Sequence, residues 1–265
     1  MRRAVLAFIL ALLVQGCGGP DPKGLYLIAL MGQSNMEGRG ELSELPPDFP
    51  ANSTKIWNFT NAYEWEPAKE PIDSPEGQVD VVSTGRRGGV GPALALADAF
   101  ASAHPTTFVG LIPCARGATR ISQWLKTDTD DPRSTLYGSC MNRMKTVSPT
   151  NGIIRAVVFW QGGSDAKREE DALKWKERFT AFVVDLRTDL GNPDLPIIMV
   201  MLGDPAVPNR YRYWQVVRDQ QHGVDTPGVI KIEANGYERR DDGIHFTTKG
   251  QLGFGAALAR LLPAP

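Results

Sequence analysis

The sequence predicts an α/β protein with a parallel sheet covered by helices on both faces. Three observations carry this. Five runs, Leu25–Met31, Thr107–Pro113, Ile153–Trp160, Pro196–Leu202 and Val229–Glu233, are mostly apolar without strict alternation, as strands buried on both faces require. Stretches of helical character lie between most successive runs. Finally, Gly-containing polar segments follow the first three runs, at the carboxyl end of the strands where such sheets bind ligands.

Each element has a local reason. Leu25–Met31 (LYLIALM) stops at Gly32. Residues 36–90 are rich in Gly, Pro, Asp, Glu and Trp with weak periodicity, which predicts long loops and one short strand near Lys55–Phe59. Gly91-Pro92 opens an Ala-rich helix to about Ala103, with Pro suited to a first turn. After TFVGLIP and a polar loop, a helix is expected around Tyr137–Val147. The third strand, IIRAVVFW, leads into one long amphipathic helix over Ala166–Leu190, ended by Gly191-Asn192-Pro193. PIIMVML is the fourth strand, Asn209–His222 a helix, Val229–Glu233 the fifth strand and Thr248–Leu262 a terminal helix. No composition shift divides 24–265, which reads as one domain.

The N-terminus reads as an address. Arg2 and Arg3 precede an apolar run, Ala4–Val14, too short to span a bilayer but suited to a signal peptide over 1–16. The run leads to Gly16-Cys17, similar to a bacterial lipoprotein box in which Cys17 is lipidated and anchors the chain to a membrane; a plain secretory signal is the alternative. Residues 17–23 have the composition of a tether. Export implies an oxidising compartment, where Cys114 and Cys140 could pair or remain free. Three Cys are too few for a disulfide scaffold, and a net charge of -1 argues against nucleic acid as a partner. Three scattered His and three scattered Cys offer no metal site.

The strand-end segments suggest acyl transfer. A serine needs a base, and the base needs an orienting partner. Ser34 directly follows the first run. His245 follows Asp242 at i+3, ahead of the terminal helix, with Asp241 as a competing orienter. His104 and His222 read as structural. A developing oxyanion needs donors, and Gly117 could offer a peptide N–H and Gln161 a side-chain amide. Each has a plainer reading alone: Ser34 as a turn residue, Gly117 likewise, Gln161 as a satisfied buried amide. Gln33, Asn35 and Arg39 are candidate substrate contacts, and Trp57, Tyr63 and Trp65 could wall a sugar site or anchor their loop.

Five blocks, MGQSNMEGRG at 31–40, GVGPALALADAF at 89–100, LIPCARGATRISQW at 111–124, FWQGGSD at 159–165 and DGIHFTTKGQ at 242–251, together resemble the sialate O-acetylesterase-like carbohydrate esterases (carbohydrate esterase family six) of the SGNH-hydrolase superfamily. The resemblance spans about 24–262. It implies a three-layer α/β/α sandwich around a flavodoxin-like five-stranded sheet and serine-dependent deacetylation of acetylated carbohydrate without a cofactor. It also implies Ser34 as nucleophile, His245 and Asp242 completing a triad, and an oxyanion hole from Gly117, Gln161 and the N–H of Ser34. Two blocks depart from the family pattern: Trp160 and Gly163 stand where His and Glu are usual, and Ala118 where a second Gly is usual. An esterase or acyltransferase for another acyl group, and a non-catalytic glycan-binding lipoprotein, remain as alternatives.

Overall fold

Seven strands form one sheet. They are β1 (Leu25–Gly32), β2 (Ile56–Phe59), β3 (Trp65–Pro67), β4 (Phe108–Pro113), β5 (Ile154–Trp160), β6 (Ile197–Met201) and β7 (Val229–Glu233). The computed structural model describes residues 20–21, 24–73, 88–148, 154–204 and 211–265. The expected signal peptide at 1–16, Cys17 and most of the tether at 17–23 therefore lie outside the described residues, as do parts of the 36–90 loop and the first residues expected of the 153–160 strand and the 209–222 helix.

The strand order is β3-β2-β4-β1-β5-β6-β7. All pairings are parallel except β2 with β3. The five expected strands thus lie in flavodoxin-like order, with the first between the second and third. The sheet is larger than the five strands expected, because β2 adds parallel to β4 and β3 folds back on β2. Trp65-Glu66-Pro67 is short and contains a proline, so its pairing left no readable pattern; as an edge strand it tolerates the missing N–H.

Side chains of β1 alternate between two cores. Leu25, Leu27, Ala29 and Met31 pack with residues of α3 (Leu136–Val147), α5 (Trp175–Leu190) and α6 (Trp214–His222). Tyr26, Ile28 and Leu30 face α2 (Ala93–Ala103) and α7 (Thr248–Ala259). This gives three layers, α/β/α. Thr135 and Thr247 cap α3 and α7 by accepting from the N–H groups of Gly138 and Gly250. The long helix expected over 166–190 is instead a short turn at 165–167, α4 (Glu169–Leu173) and α5, broken at Lys174. The break turns Trp175 inward, where its indole donates to Gln161 Oε1 (2.8 Å) and stacks on Phe179. Gly191, in the left-handed region at φ 61°, ends α5 as expected. Among the described residues no helix is long and apolar enough to cross a membrane.

Cys114 and Cys140 are joined in a disulfide, with Cα atoms 5.5 Å apart. It ties the end of β4 to the middle of α3. Closing a loop of 26 residues constrains the unfolded chain by about 3.5 kcal/mol. Cys140→Ser, or reductant on the wild type, should lower the urea midpoint accordingly. Equal midpoints with and without reductant would show that the two thiols are not joined in solution.

Candidate active site

The site begins with a close approach that only glycine allows. Gly32 ends β1 at φ +124°, and a Cβ there would sit 2.2 Å from the Trp160 carbonyl oxygen. Without one, the Gln33 N–H reaches that carbonyl (2.8 Å). The chain then turns at once into α1 (Ser34–Glu37), whose last turn is closed by the Gly38 N–H on the Ser34 carbonyl (2.9 Å). Ser34 is thereby presented at the carboxyl end of the central strand.

Ser34 Oγ lies 2.8 Å from His245 Nε2. On the other side of the ring, His245 Nδ1 lies 2.5 Å from Asp242 Oδ2. The second carboxylate oxygen, Oδ1, accepts from the peptide N–H groups of Ile244 (2.8 Å) and His245 (2.9 Å). Partial burial raises the Asp242 pKa, but the donations from the His245 peptide, its ring and the Ile244 peptide outweigh it. The carboxyl is held below its ordinary value. Asp242, rather than Asp241, is therefore the ring's partner. The spacing works because Asp242 uses one oxygen to shape the tight turn and the other to hold the ring. His104 packs on Phe100 at the end of α2, and His222 pairs with Glu233 (3.2 Å); neither enters the site.

The segment after β4 is pinned to β1 by the Cys114 N–H on Leu30 O (2.8 Å) and the Arg116 N–H on Gly32 O (2.9 Å). This brings Gly117 and Ala118 to the same rim. Ala118 adopts φ +63°, a conformation that favours glycine, at the position where the resembled family usually has one. Ser34, His245 and Ala118 line one cavity of about 110 Å³. Gly117 is buried next to Ala118 and does not line the cavity. The peptide N–H groups of Ser34 and Gly117 make no hydrogen bond among the described residues, so both donors are unspent.

Gln161 does not face this cavity. It is fully buried beneath it, and its Nε2 donates to Thr119 O (2.9 Å) and Asp165 Oδ2 (2.5 Å) while its Oε1 accepts from Trp175. Both amide hydrogens are spent, which removes it as an oxyanion donor. Of the expected substrate contacts, Gln33 lines the cavity, with Oε1 accepting from the Gly162 and Ser164 peptides (3.3 and 3.4 Å). Gly163 leaves room for it, since a Cβ there would meet Gln33 Nε2 at 2.9 Å. Arg39 also lines the cavity, with its guanidinium on Glu37 (2.6 Å). Asn35 is buried and does not line the cavity; its side chain bonds to the backbone around His245. Trp57, Tyr63 and Trp65 pack partly buried against the core and do not line the cavity, so they anchor their loop. Trp160 fills its face of the sheet against Phe246 and Phe254.

Lys167 and Tyr211 reach the cavity without having been expected there, with Lys167 Nζ 5.4 Å from the Tyr211 ring centre. Lys167 comes from the turn after β5, so its rim position was readable; Tyr211 carries no such signal. Among the described residues, no group of three or more His, Cys, Asp or Glu side chains is placed to hold a metal ion.

Below the cavity, burial pushes the Asp165 carboxyl up to about 7, against the donations from Gln161 and the Ile121 N–H that favour its charged form. The ordinary value is 3.8, so the unfolded chain loses this proton first as pH rises. Asp165 therefore contributes stability that is fully present below about pH 4 and lost by about pH 7, at up to about 1.4 kcal/mol per pH unit. Urea unfolding across that range should show the wild type declining relative to Asp165→Asn. Parallel profiles would refute the raised value.

The sequence matches the family described as carbohydrate esterase, sialic acid-specific acetylesterase over residues 23–263. A probable carbohydrate esterase of Arabidopsis thaliana is 33% identical over 255 residues, covering 91% of each chain. An Arabidopsis thaliana protein of known structure superposes with a TM-score of 0.76 at 30% identity, over 89% of this chain and 96% of that one. NanS (TM-score 0.65, 17% identity, 92% of this chain and 98% of that one) and a carbohydrate acetylesterase from Xanthomonas citri (TM-score 0.59, 17% identity, 88% and 54%) share the fold. The chain belongs to the sialic acid-specific acetylesterase family of carbohydrate esterases.

Proposed function

We propose that this protein is an exported serine esterase that removes O-acetyl groups from acetylated carbohydrate through an acetyl-enzyme. The observation that carries the reading is the continuous chain from Ser34 Oγ through both nitrogens of His245 to Asp242. In it, Ser34 Oγ attacks the ester carbonyl carbon as its proton passes to His245 Nε2. Asp242 holds the ring in the tautomer that leaves Nε2 free to accept, and stabilises the imidazolium. The carbonyl oxygen, now negative, is met by the N–H groups of Ser34 and Gly117. The tetrahedral centre collapses, the sugar oxygen leaves with the proton from Nε2, and acetyl stays on Oγ. Water then gives its proton to Nε2 and attacks the acetyl carbon; acetate leaves and Oγ recovers the proton.

The small cavity of about 110 Å³ suits a short acyl group. Beside it, and sharing Arg39, lies a cleft of about 1100 Å³ bordered by Asn58, Thr60, Glu66 and Lys69. Its polar walls suit the hydroxyls of a carbohydrate, the class named for the Arabidopsis relative. Export and a lipid anchor at Cys17 rest on the leader residues, and the Cys114–Cys140 disulfide is in keeping with an oxidising compartment.

Ser34→Ala should abolish release of acetate from acetylated glycans and from p-nitrophenyl acetate while thermal unfolding stays near that of the wild type. Unchanged turnover in this variant would refute the reading. A wild type that binds acetylated sugar yet is not labelled by a fluorophosphonate would make it a binding protein instead. Gln161→Leu should lower stability but keep kcat, per folded molecule, within about tenfold, since losing a true oxyanion donor costs about 100- to 1000-fold. A loss of that larger size would return Gln161 to the oxyanion hole.

A further inference from the structure

Asn35 follows the nucleophile directly in sequence, yet its side chain serves the base. Its Nδ2 donates to the Ile244 carbonyl (3.1 Å) and its Oδ1 accepts from the Phe246 N–H (3.1 Å). These two peptide groups flank His245. A side-chain amide thus pairs with the chain on either side of the histidine, much as a neighbouring strand would. The Asn35 backbone is held in turn, its carbonyl accepting from Gln251 Nε2 in α7 (3.1 Å). From the other side, the Arg240 N–H donates to the His245 carbonyl (2.8 Å) and Asp242 takes the His245 N–H. Asn35 is buried and contributes nothing to the cavity wall, unlike Gln33 and Arg39 of the same segment.

We infer that Asn35 is a positioning residue that fixes the distance and angle between Ser34 Oγ and His245 Nε2 by tying the segment of the nucleophile to the loop of the base. This rests on the esterase reading above for its catalytic consequence, but the positioning itself does not. Ser34 and His245 are 211 positions apart, and Asn35, the residue next to Ser34, joins their segments through two hydrogen bonds to the peptides on either side of His245. Misplacing a reacting group by about 1 Å costs on the order of 100-fold in rate, so removing the tie should be felt in kcat. Substrate affinity should hardly change, because Asn35 does not reach the cavity.

The test compares wild type, Asn35→Ala and Asn35→Asp. Asn35→Asp keeps the acceptor for the Phe246 N–H and loses the donor to the Ile244 carbonyl; it carries the test if Asn35→Ala fails to fold. Active sites are counted with a fluorophosphonate, so that a misfolded fraction does not enter kcat. The expected result is kcat per titrated site lower by about 10- to 100-fold in Asn35→Ala, a smaller loss in Asn35→Asp, and KM within about twofold. A second readout needs no turnover. The chain has three His, so nitrogen-labelled histidine gives three pairs of ring-nitrogen signals by NMR, and His245→Gln identifies the pair of His245. Its Nδ1–H proton, protected by Asp242, should broaden or shift in Asn35→Ala while those of His104 and His222 stay in place. An unchanged His245 signal together with unchanged kcat per titrated site would overturn the inference. A raised KM at constant kcat would also overturn it, making Asn35 a substrate contact. A wild type without esterase activity whose His245 signal still responds to Asn35→Ala would refute the proposed function and leave the positioning role standing.

Discussion

The whole site depends on how closely the ends of β1 and β5 approach. Gly32 lies against the Trp160 carbonyl at a distance no side chain could occupy, in a conformation glycine adopts without strain. That contact lets the Gln33 peptide bond across to β5 and makes the chain turn directly into α1. The direction of Ser34 follows from the turn. In this strand order the chain runs to opposite sides of β1 after it and after β4, which opens a crevice at the carboxyl ends of β1 and β5. The other segments of the site reach the crevice from the end of β4 and from the loop before α7, and each is bonded to the β1 turn or to α1.

Beneath the crevice the chain keeps a layer of buried polar groups that are nearly all paired. Gln161 is donor to Thr119 and Asp165 and acceptor from Trp175; Gln221 donates to the Gln161 carbonyl and accepts from the Leu202 N–H. Such a network is costly if one member is missing and rigid when complete. Two features that look unrelated along the chain meet in it. Trp175, the first residue after the break between α4 and α5, donates into this layer, and the Gln161 amide is spent within it rather than on the cavity.

The legible part of the fold was the part written in repeated local patterns. The apolar runs at 25–31, 107–113 and 196–202 announced buried strands, Gly191 announced the end of α5, and the helices near 93–103 and 137–147 stood out between them. Three residues of β3 carried too little pattern to be read. The α4–α5 break was hidden because amphipathic periodicity continues across Lys174, while Gln161, the hydrogen-bond partner of Trp175 just after the break, lies fourteen residues from Trp175. In the site, residue type singled out Ser34, Asp242 and His245 as a hydroxyl, a carboxylate and an imidazole, and the structure brings the three side chains within hydrogen-bond distance. Residue type misled for Gln161 and Asn35. An amide looks the same in sequence whether it faces a substrate or a neighbouring peptide, and only the partner of each N–H tells them apart.

By itself, then, the sequence determined the α/β class, most of the strands, the family and the residue types available at the rim, because burial, chain stiffness and glycine's freedom act over a few neighbouring positions. Tertiary structure alone decided that the disulfide forms, that the sheet gains an antiparallel edge, that Gln161 belongs to the floor and that Asn35 serves His245. Those outcomes turn on which particular groups meet in the packed molecule, from strands separated by one short turn to Asn35 and the loop of His245 more than two hundred residues away. Hydrogen bonds of about 3 Å tolerate so little error that only the packed molecule can say which donor meets which acceptor.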